Sequence, residues 1–394
     1  MADDDLPKPH PLRLAARPDF EVGDRTVACA DLFCGCGGLT LGVAQACSDH
    51  DVALDVRLAV DFDQDASSVY ATNFSKANVC NSDVRKLFDR SLGESLSDAE
   101  AEIRENAGAV GLLVAGPPCQ GHSDLNNHTR RVDPKNGLYL RVARAADVLE
   151  PTVVFIENVP TVQHDRARVL DQTVSHLKAV GFKVAHQVIH LDVLGIPQRR
   201  RRHVLLAAWW DCPVDPAEVL AGLALSAAEK HDLRWAIGDL AGLEQGIGVD
   251  QPPRASRDNL ARMQWLLTNG KYDLPNDRRP LCHQNDHTYK SMYGRLNWNA
   301  PAQTITSGFG SIGQGRYMHP DKCRALTPHE AARIQGFPDY YQFSPLPRRD
   351  SLATMIGNAV PPELARRAFT SIIPILADGR ADGDAGSARW PRQA

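Results

Sequence analysis

The sequence predicts an α/β protein: a doubly wound, mostly parallel sheet carrying an inserted smaller domain. Three observations predict it. Five short apolar runs alternate with helical periodicity between residues 27 and 189, the pattern of strands joined by crossover helices. Residues capable of chemistry collect just past the ends of those runs, where open α/β sheets bind ligands. From 211 to 295 the alternation is lost and loops lengthen, which sets off the insert.

In order along the chain, residues 1–24 are polar, with Asp3-Asp4-Asp5 and several prolines, and are expected to form a loose tail. Residues 27–33 read as the first strand and 39–47 as a helix. Gly35, Gly37 and Gly38 between them let a ligand approach the backbone. Many α/β proteins carry such turns for packing alone. Thr40 stands where the dinucleotide fingerprint needs its third glycine, which disfavours a nicotinamide dehydrogenase.

The second strand, 56–60, ends in Asp61-Phe62-Asp63. A carboxylate there suits a ribose diol. The plain alternative is the N-cap of the helix over 64–73, which Asp63 fits better. Phe62 is either a purine stacker or core. Asp83 either accepts from an adenine amino group or is a loop aspartate. Residues 84–109 read as helical and solvated.

The run 110–115 predicts a buried strand, which Gly116, Pro117 and Pro118 stop. The next residue is Cys119. A thiol at a strand tip on a stiffened turn is how a nucleophile is presented, although a lone cysteine is more often structural. Residues 124–136, with Arg130, Arg131 and Lys135, read as a long loop beside the thiol. A helix over 138–149, a strand over 152–156 ending in Glu157-Asn158-Val159, a helix over 166–180 closed by Gly181, and a strand over 184–189 follow. Gln198 and the arginines 199–202 lead into a strand over 203–208. Such a run is ordinarily a solvated face or a phosphate patch.

Residues 25–210 thus form the first part of the sheet domain, 211–295 the insert, and 296–376 the return. Within the return, Thr327-Pro328-His329-Glu330 is a capping box with proline at N1. The segment 357–362 is expected to open a last helix running to 373. Residues 377–394, rich in Gly, Asp and Arg, predict a disordered tail.

Composition narrows the class. A net charge of −4 leaves any nucleic-acid surface to a local basic patch. No apolar run approaches the roughly 20 residues that span a bilayer, and no basic, apolar leader precedes the chain, so secretion is not expected. The nine cysteines contain no CxxC pair, so no metal site is expected, and scattered thiols suit a reducing cytoplasm.

Taken together these stretches resemble the cytosine-C5 DNA methyltransferase family over about 27–373. Residues 31–38 (Asp-Leu-Phe-Cys-Gly-Cys-Gly-Gly) resemble its cofactor turn, 116–120 its nucleophile motif, and Glu157-Asn158-Val159 its acid motif. Gln198, Arg200 and Arg202 resemble its QxRxR element, and 324–338 with 357–362 its carboxyl-terminal motifs. The family often has an aromatic residue where this chain has His122, and some members a small polar residue where it has Leu125.

The resemblance implies a Rossmann-like methyltransferase fold with an inserted target-recognition domain, and S-adenosylmethionine as cofactor. Phe33, Gly35, Gly37, Gly38, Leu39, Asp61, Phe62, Asp83, Val84, Pro117, Asn358 and Val360 would bind it. Gln120, Ser123, Gln198 and Arg295 would touch double-stranded DNA. A cognate restriction endonuclease is a possible partner, a monomer is expected, and localisation is cytoplasmic, on the nucleoid through DNA. An RNA methyltransferase and an inactive DNA-binding subunit are the rival readings.

The chemistry follows from the residues. C5 of cytosine is a poor nucleophile. Attack of the Cys119 thiolate at C6 makes C5 reactive. Glu157, if protonated, can neutralise charge at N3. Arg202 with Arg200 can bond the O2 side and a flanking phosphate. A stacked cytosine must be flipped out first.

Overall fold

The computed structural model describes residues 10–118, 137–242, 246–284, 291–345 and 348–379. Cys119, Gln120, His122, Ser123 and Leu125 lie outside the described residues.

The strands are β1 (Arg25–Leu32), β2 (Val52–Asp61), β3 (Val79–Asn81), β4 (Leu112–Ala115), β5 (Val153–Asn158), β6 (Phe182–His190), β7 (Gln198–Arg199), β8 (Arg201–Trp209) and β9 (Ala302–Gln303). Seven form one sheet in the order β3-β2-β1-β4-β5-β8-β6, and β7 pairs with β9. From β3 to β5 the pairs are parallel; β8 runs antiparallel to both β5 and β6. The link from β6 to β8 is too short for a crossover helix, so the chain must reverse. β4 and β5 are buried throughout, which is why they read as unbroken apolar runs. The order reverses direction between β1 and β4, the switch point at which such sheets bind ligands.

The helices are α1 (Gly38–Ser48), α2 (Gln64–Asn73), α3 (Val84–Leu87), α4 (Asp98–Ala107), α5 (Leu138–Leu149), α6 (Val169–Val180), α7 (Pro216–Ala224), α8 (Leu233–Ile237), α9 (Arg257–Thr268), α10 (Pro328–Gln335), α11 (Arg349–Asn358), α12 (Pro362–Phe369) and α13 (Ile373–Asp378). Their caps match their sequences. Asp63 caps α2, Ser97 and Glu100 form a capping box on α4, and Thr327 and Glu330 form the one expected on α10. Gly181 closes α6 at φ 115°. α12 lies on α1 at Gly42, where a Cβ would meet the Pro362 carbonyl oxygen at 2.0 Å.

The chain divides into two compact units, and their bounds differ from the sequence expectation. The sheet unit comprises Pro18–Leu194, Arg201–Ala228 and Val360–Ala394; the second comprises Met1–Arg17, Gly195–Arg200 and Glu229–Ala359. Residues 211–228 stay with the sheet because α7 packs on β6 and β8, with Leu220 and Leu223 buried. Residues 296–359 fold with the second unit, whose core gathers Met263, Leu266, Leu274, Tyr293, Ile312 and Met318.

Three further expectations change. Residues 10–20 are anchored: Leu12 and Phe20 are buried, and Asp339 and Tyr340 donate backbone N–H groups to the Leu12 and Leu14 carbonyls. The stretch 84–109 is not wholly solvated. Glu100 on α4 and Arg144 on α5 form a buried, two-point ion pair, at 2.9 Å from Nε and 2.6 Å from Nη2. The segment 357–362 ends one helix, α11, before opening α12, and the chain breaks again before α13. No described helix is long and apolar enough to cross a membrane, and no described cluster of His, Cys, Asp or Glu has the makings of a metal site.

Candidate active site at the strand ends

Within the sheet unit the glycine turn leaves β1 and enters α1. Phe33, Gly35 and Gly37 have φ of 57°, 52° and 88°. Gly35 and Gly37 adopt this region freely; Phe33 does so at a steric cost, a feature that clusters at ligand sites. A Cβ at Gly35 would have nothing within 4 Å, so the turn opens onto free space. Gly38 and Leu39 begin α1 and are buried. Asp61, at the end of β2, holds this turn. Its two carboxylate oxygens accept the N–H groups of Gly35 and Asp63, both at 2.9 Å. Burial raises its pKa, and those two N–H groups oppose the rise. Phe62, next to it, is 75% exposed. A large aromatic left in water beside an anchored carboxylate is the pairing a nucleoside needs.

Asp31 lies beneath the turn at the end of β1. It is fully buried, accepts from the Thr40 hydroxyl at 2.6 Å, and is pushed up to about 8 by burial. Thr40 also bonds the Tyr70 hydroxyl, at 2.7 Å. The residue that breaks the dinucleotide fingerprint thus ties α1 to β1 and α2.

Gly116, at the end of β4, faces the acid motif. A Cβ there would lie 3.6 Å from Val360, 3.8 Å from Oε2 of Glu157 and 3.9 Å from Leu39. Three separately predicted residues therefore meet at one point. Glu157, on β5, is 6% exposed. Arg202 Nε stands 2.5 Å from its Oε1, although among the described residues that atom has no hydrogen bond of good geometry. Arg202 therefore lies against the carboxyl without a directed bond. Asn158 was not singled out by sequence reasoning. Its side-chain amide donates to the Pro117 carbonyl at 3.1 Å and its oxygen accepts from Val159 N–H, which ties the end of β5 to Pro117. Tyr139 was also missed. Its buried hydroxyl has no hydrogen-bond partner among the described residues, and burial and the Glu157 charge both raise its pKa.

The described thiols of β1, the glycine turn and α1 are buried and poor nucleophiles. Burial raises the pKa of Cys29 and Cys34 and lifts Cys36 and Cys47 to about 12. They pack the core.

Other predicted residues have structural occupations. Arg200 is 2% exposed, and its guanidinium donates to the carbonyls of Ile305 and Ala359 at 2.8 and 3.2 Å, so it clamps the second unit's backbone and is closed to substrate there. Gln198 is fully buried, donates to Gln335 and Ile334 and accepts from Ile305 N–H, which removes it from a DNA surface. Asp83 caps α3 and forms a fork with Arg85, which lowers its pKa. Val84 is buried at the start of α3. Asn358 is exposed at the end of α11. Arg295 lines an open cleft of the second unit.

Comparison with known proteins fits this geometry. Residues 27–374 match the model of the C-5 cytosine-specific DNA methylase family. The chain is similar to the Type II methyltransferase M1.BsuMI of Bacillus subtilis, at 41% identity over 90% of this chain and 82% of that one. It is also similar to the Type II methylase M.HgiDII of Herpetosiphon aurantiacus, at 30% identity over 88% and 94%. Among solved structures, the Dnmt2 methyltransferase of S. pombe shares the fold, with a TM-score of 0.59 at 15% identity over 90% of this chain and 100% of that one. The chain belongs to the C-5 cytosine-specific DNA methylase family, enzymes that methylate cytosine with S-adenosylmethionine as donor.

Proposed function

We propose that the protein methylates C5 of a cytosine flipped out of double-stranded DNA, through a transient bond between Cys119 and C6. The observation that carries this reading is the meeting of Glu157, Leu39 and Val360 at Gly116, on the turn leading to Cys119.

The cofactor fits the residues present. The open glycine turn with Phe33 and Leu39 would take the methionine part, Asp61 the ribose, and Phe62 with Asp83 and Val84 the adenine. Pro117, Asn358 and Val360 complete the set assigned to it. When bound, S-adenosylmethionine supplies an electrophilic methyl group.

The Cys119 thiolate adds to C6 as Glu157 delivers its proton to N3, so no free charge builds on the ring. The electron-rich C5 would then accept the methyl group that bound S-adenosylmethionine supplies, the donor sulfur leaving as a neutral thioether. A base removes the C5 proton, the Cys119–C6 bond breaks to release the thiolate, N3 returns its proton to Glu157, and the ring regains its C5–C6 double bond. Arg202 holds the Glu157 carboxyl and faces the O2 side of the ring. Asn158, through the Pro117 carbonyl, fixes the turn that presents the thiol.

Target readout is assigned to the second unit, Glu229–Ala359. The Type II names of the relatives favour DNA over RNA, and a restriction endonuclease cutting the same site as a partner. The protein is read as a monomer of the cytoplasm, bound to the nucleoid through its substrate.

A duplex carrying 5-fluorocytosine at the target tests the mechanism. C5 then has no removable proton, so the protein should stay covalently attached through denaturing electrophoresis when S-adenosylmethionine is present. Cys119→Ala should bind the duplex without forming the adduct. A trapped complex with that variant would overturn the assignment of the nucleophile. Faster methylation of a matched RNA would overturn the assignment of substrate.

A further inference from the structure

Within the second unit lies an open cleft of about 250 Å³ whose lining includes Arg199, Tyr272, Arg295, Asn297, Gln303 and Arg316. Two of its three guanidinium groups are built into the wall. Arg295 donates to the Pro320 carbonyl and lies over the Tyr272 ring at 5.3 Å. Arg316 donates to the carbonyls of Tyr272 and Arg295, at 3.0 and 3.1 Å. The nearby carboxylates face outward: Asp273, paired with Arg316, and Asp321, 3.8 Å from Arg295, have side chains 62% and 60% exposed.

Arg199 differs. It is exposed, and among the described residues its guanidinium has no hydrogen bond or ion pair. It stands on β7 directly opposite Gln303 on β9, in parallel register. Side chains at paired positions share a face. The Gln303 side chain likewise has no partner among the described residues. Asn297 spends its oxygen on the Asn299 N–H at 3.0 Å, which leaves its amide donors. The Thr304 hydroxyl bonds the Arg199 carbonyl at 2.9 Å and holds the two strands together. The free polar capacity of the cleft is thus mostly donor, on a wall of carboxylate-paired guanidinium groups and a braced ribbon.

We infer that this cleft is a clamp for a backbone phosphate of the DNA substrate, with Arg199 as its charged contact and the amides of Gln303 and Asn297 beside it. Arg295, expected from sequence to touch DNA itself, is part of the wall behind that contact. A phosphate offers only acceptors and negative charge, and the free groups of this lining are a guanidinium and amides whose donors outnumber their acceptors. A base edge would present donors as well as acceptors, and the cleft has few acceptors to meet them. The clamp sets where the duplex lies on the second unit and carries no sequence information. This inference rests on the proposed DNA substrate.

The test uses the full chain and two labelled duplexes, one carrying the methylated site and one of unrelated sequence, with anisotropy read across a salt series. Arg199→Ala should weaken binding to both duplexes by about ten- to hundredfold. It should also reduce the slope of log K against log salt by about 0.9, the loss of one phosphate contact. Arg199→Lys should restore the slope, because a point charge still neutralises a phosphate. Gln303→Ala should weaken binding with the slope unchanged. An unaltered slope in Arg199→Ala would overturn the clamp. So would a loss confined to one base-pair position in methylation of a randomised library, which would make Arg199 a base reader. Wild-type protein with the Arg199-dependent slope but no methyl transfer to DNA would sink the proposed reaction and leave the clamp standing.

Discussion

The strand ends of the sheet unit and the cleft of the second unit use polar side chains in opposite ways. At the strand ends nearly every polar group is tied to the protein. Asp61 takes two backbone N–H groups, Asn158 a carbonyl and an N–H, Asp31 a hydroxyl. Geometry is fixed first, and function uses what capacity remains, as at the Glu157 carboxyl. In the cleft the wall is likewise tied down, but the side chains of Arg199 and Gln303 have no partner among the described residues. Fixed groups suit a reaction that tolerates little displacement. Unspent donors suit a long polyanion held by charge. Variants at the strand ends should therefore change rate or cofactor affinity with little salt dependence, and cleft variants the reverse.

The largest expected effect is at Glu157. Glu157→Gln keeps the shape and removes the proton source, so the single-turnover rate should fall by about 10²–10⁴-fold. Duplex affinity and its salt slope should stay at wild-type values. A parallel loss of salt slope would blur the contrast between the regions, since it would make Glu157 part of the DNA grip. Next is the buried pair between α4 and α5. Arg144→Met leaves the Glu100 carboxylate uncompensated and should cost about 3–5 kcal/mol in urea unfolding. Replacing Glu100 by Gln as well should recover part of that loss. If the single variant is as stable as wild type, the pair does not behave as a buried one.

Asp61 comes third. Asp61→Ala should weaken S-adenosylmethionine binding by about 1.5–3 kcal/mol per charge-assisted bond lost, read by calorimetry. Because Asp61 also braces Gly35, Asp61→Asn separates its two jobs: its remaining oxygen can still accept a turn N–H. Asparagine that binds as weakly as alanine would assign the loss to the diol; asparagine close to wild type would assign it to the turn.

What the sequence revealed follows the same division. The glycine turn and the strand end at Gly116 that faces Glu157 were legible because their residue types are costly or useless elsewhere. Arg200 and Arg202 were not separable, since both belong to one basic run. The chain sends Arg200 into the backbone of the second unit and Arg202 to Glu157, a choice made by long-range carbonyls. α11 was missed because its N-cap, Arg348, makes no side-chain cap bond, and Gly357 near its end looks like a helix opener. Its Gly357 is instead pressed against residues 306 and 307, where a Cβ would meet backbone at 2.2 Å. Arg199 was legible only as part of a charge run. Its distinction comes from Gln303, 104 positions later in the chain, through the register of two short strands.

The smallest expected effect tests whether the second unit's regular structure is separable from its grip on DNA. Thr327 caps α10, accepting from Glu330 N–H at 3.1 Å, while Glu330 accepts from Thr327 N–H at 2.9 Å. Thr327→Ala removes only the first bond. Glu330 keeps the second, and keeps a two-point pair with Arg324 at 2.7 Å for each arm, so the box is half retained. The loss should therefore be about 1 kcal/mol, within the usual range for caps. It should appear as faster amide exchange at the start of α10, and Thr327→Ser should restore protection because the hydroxyl returns. The salt slope for duplex binding should not move, since no cleft cation bonds to Thr327. A changed slope would mean that the phosphate grip depends on the order of α10, and the cleft could no longer be treated as a self-braced site.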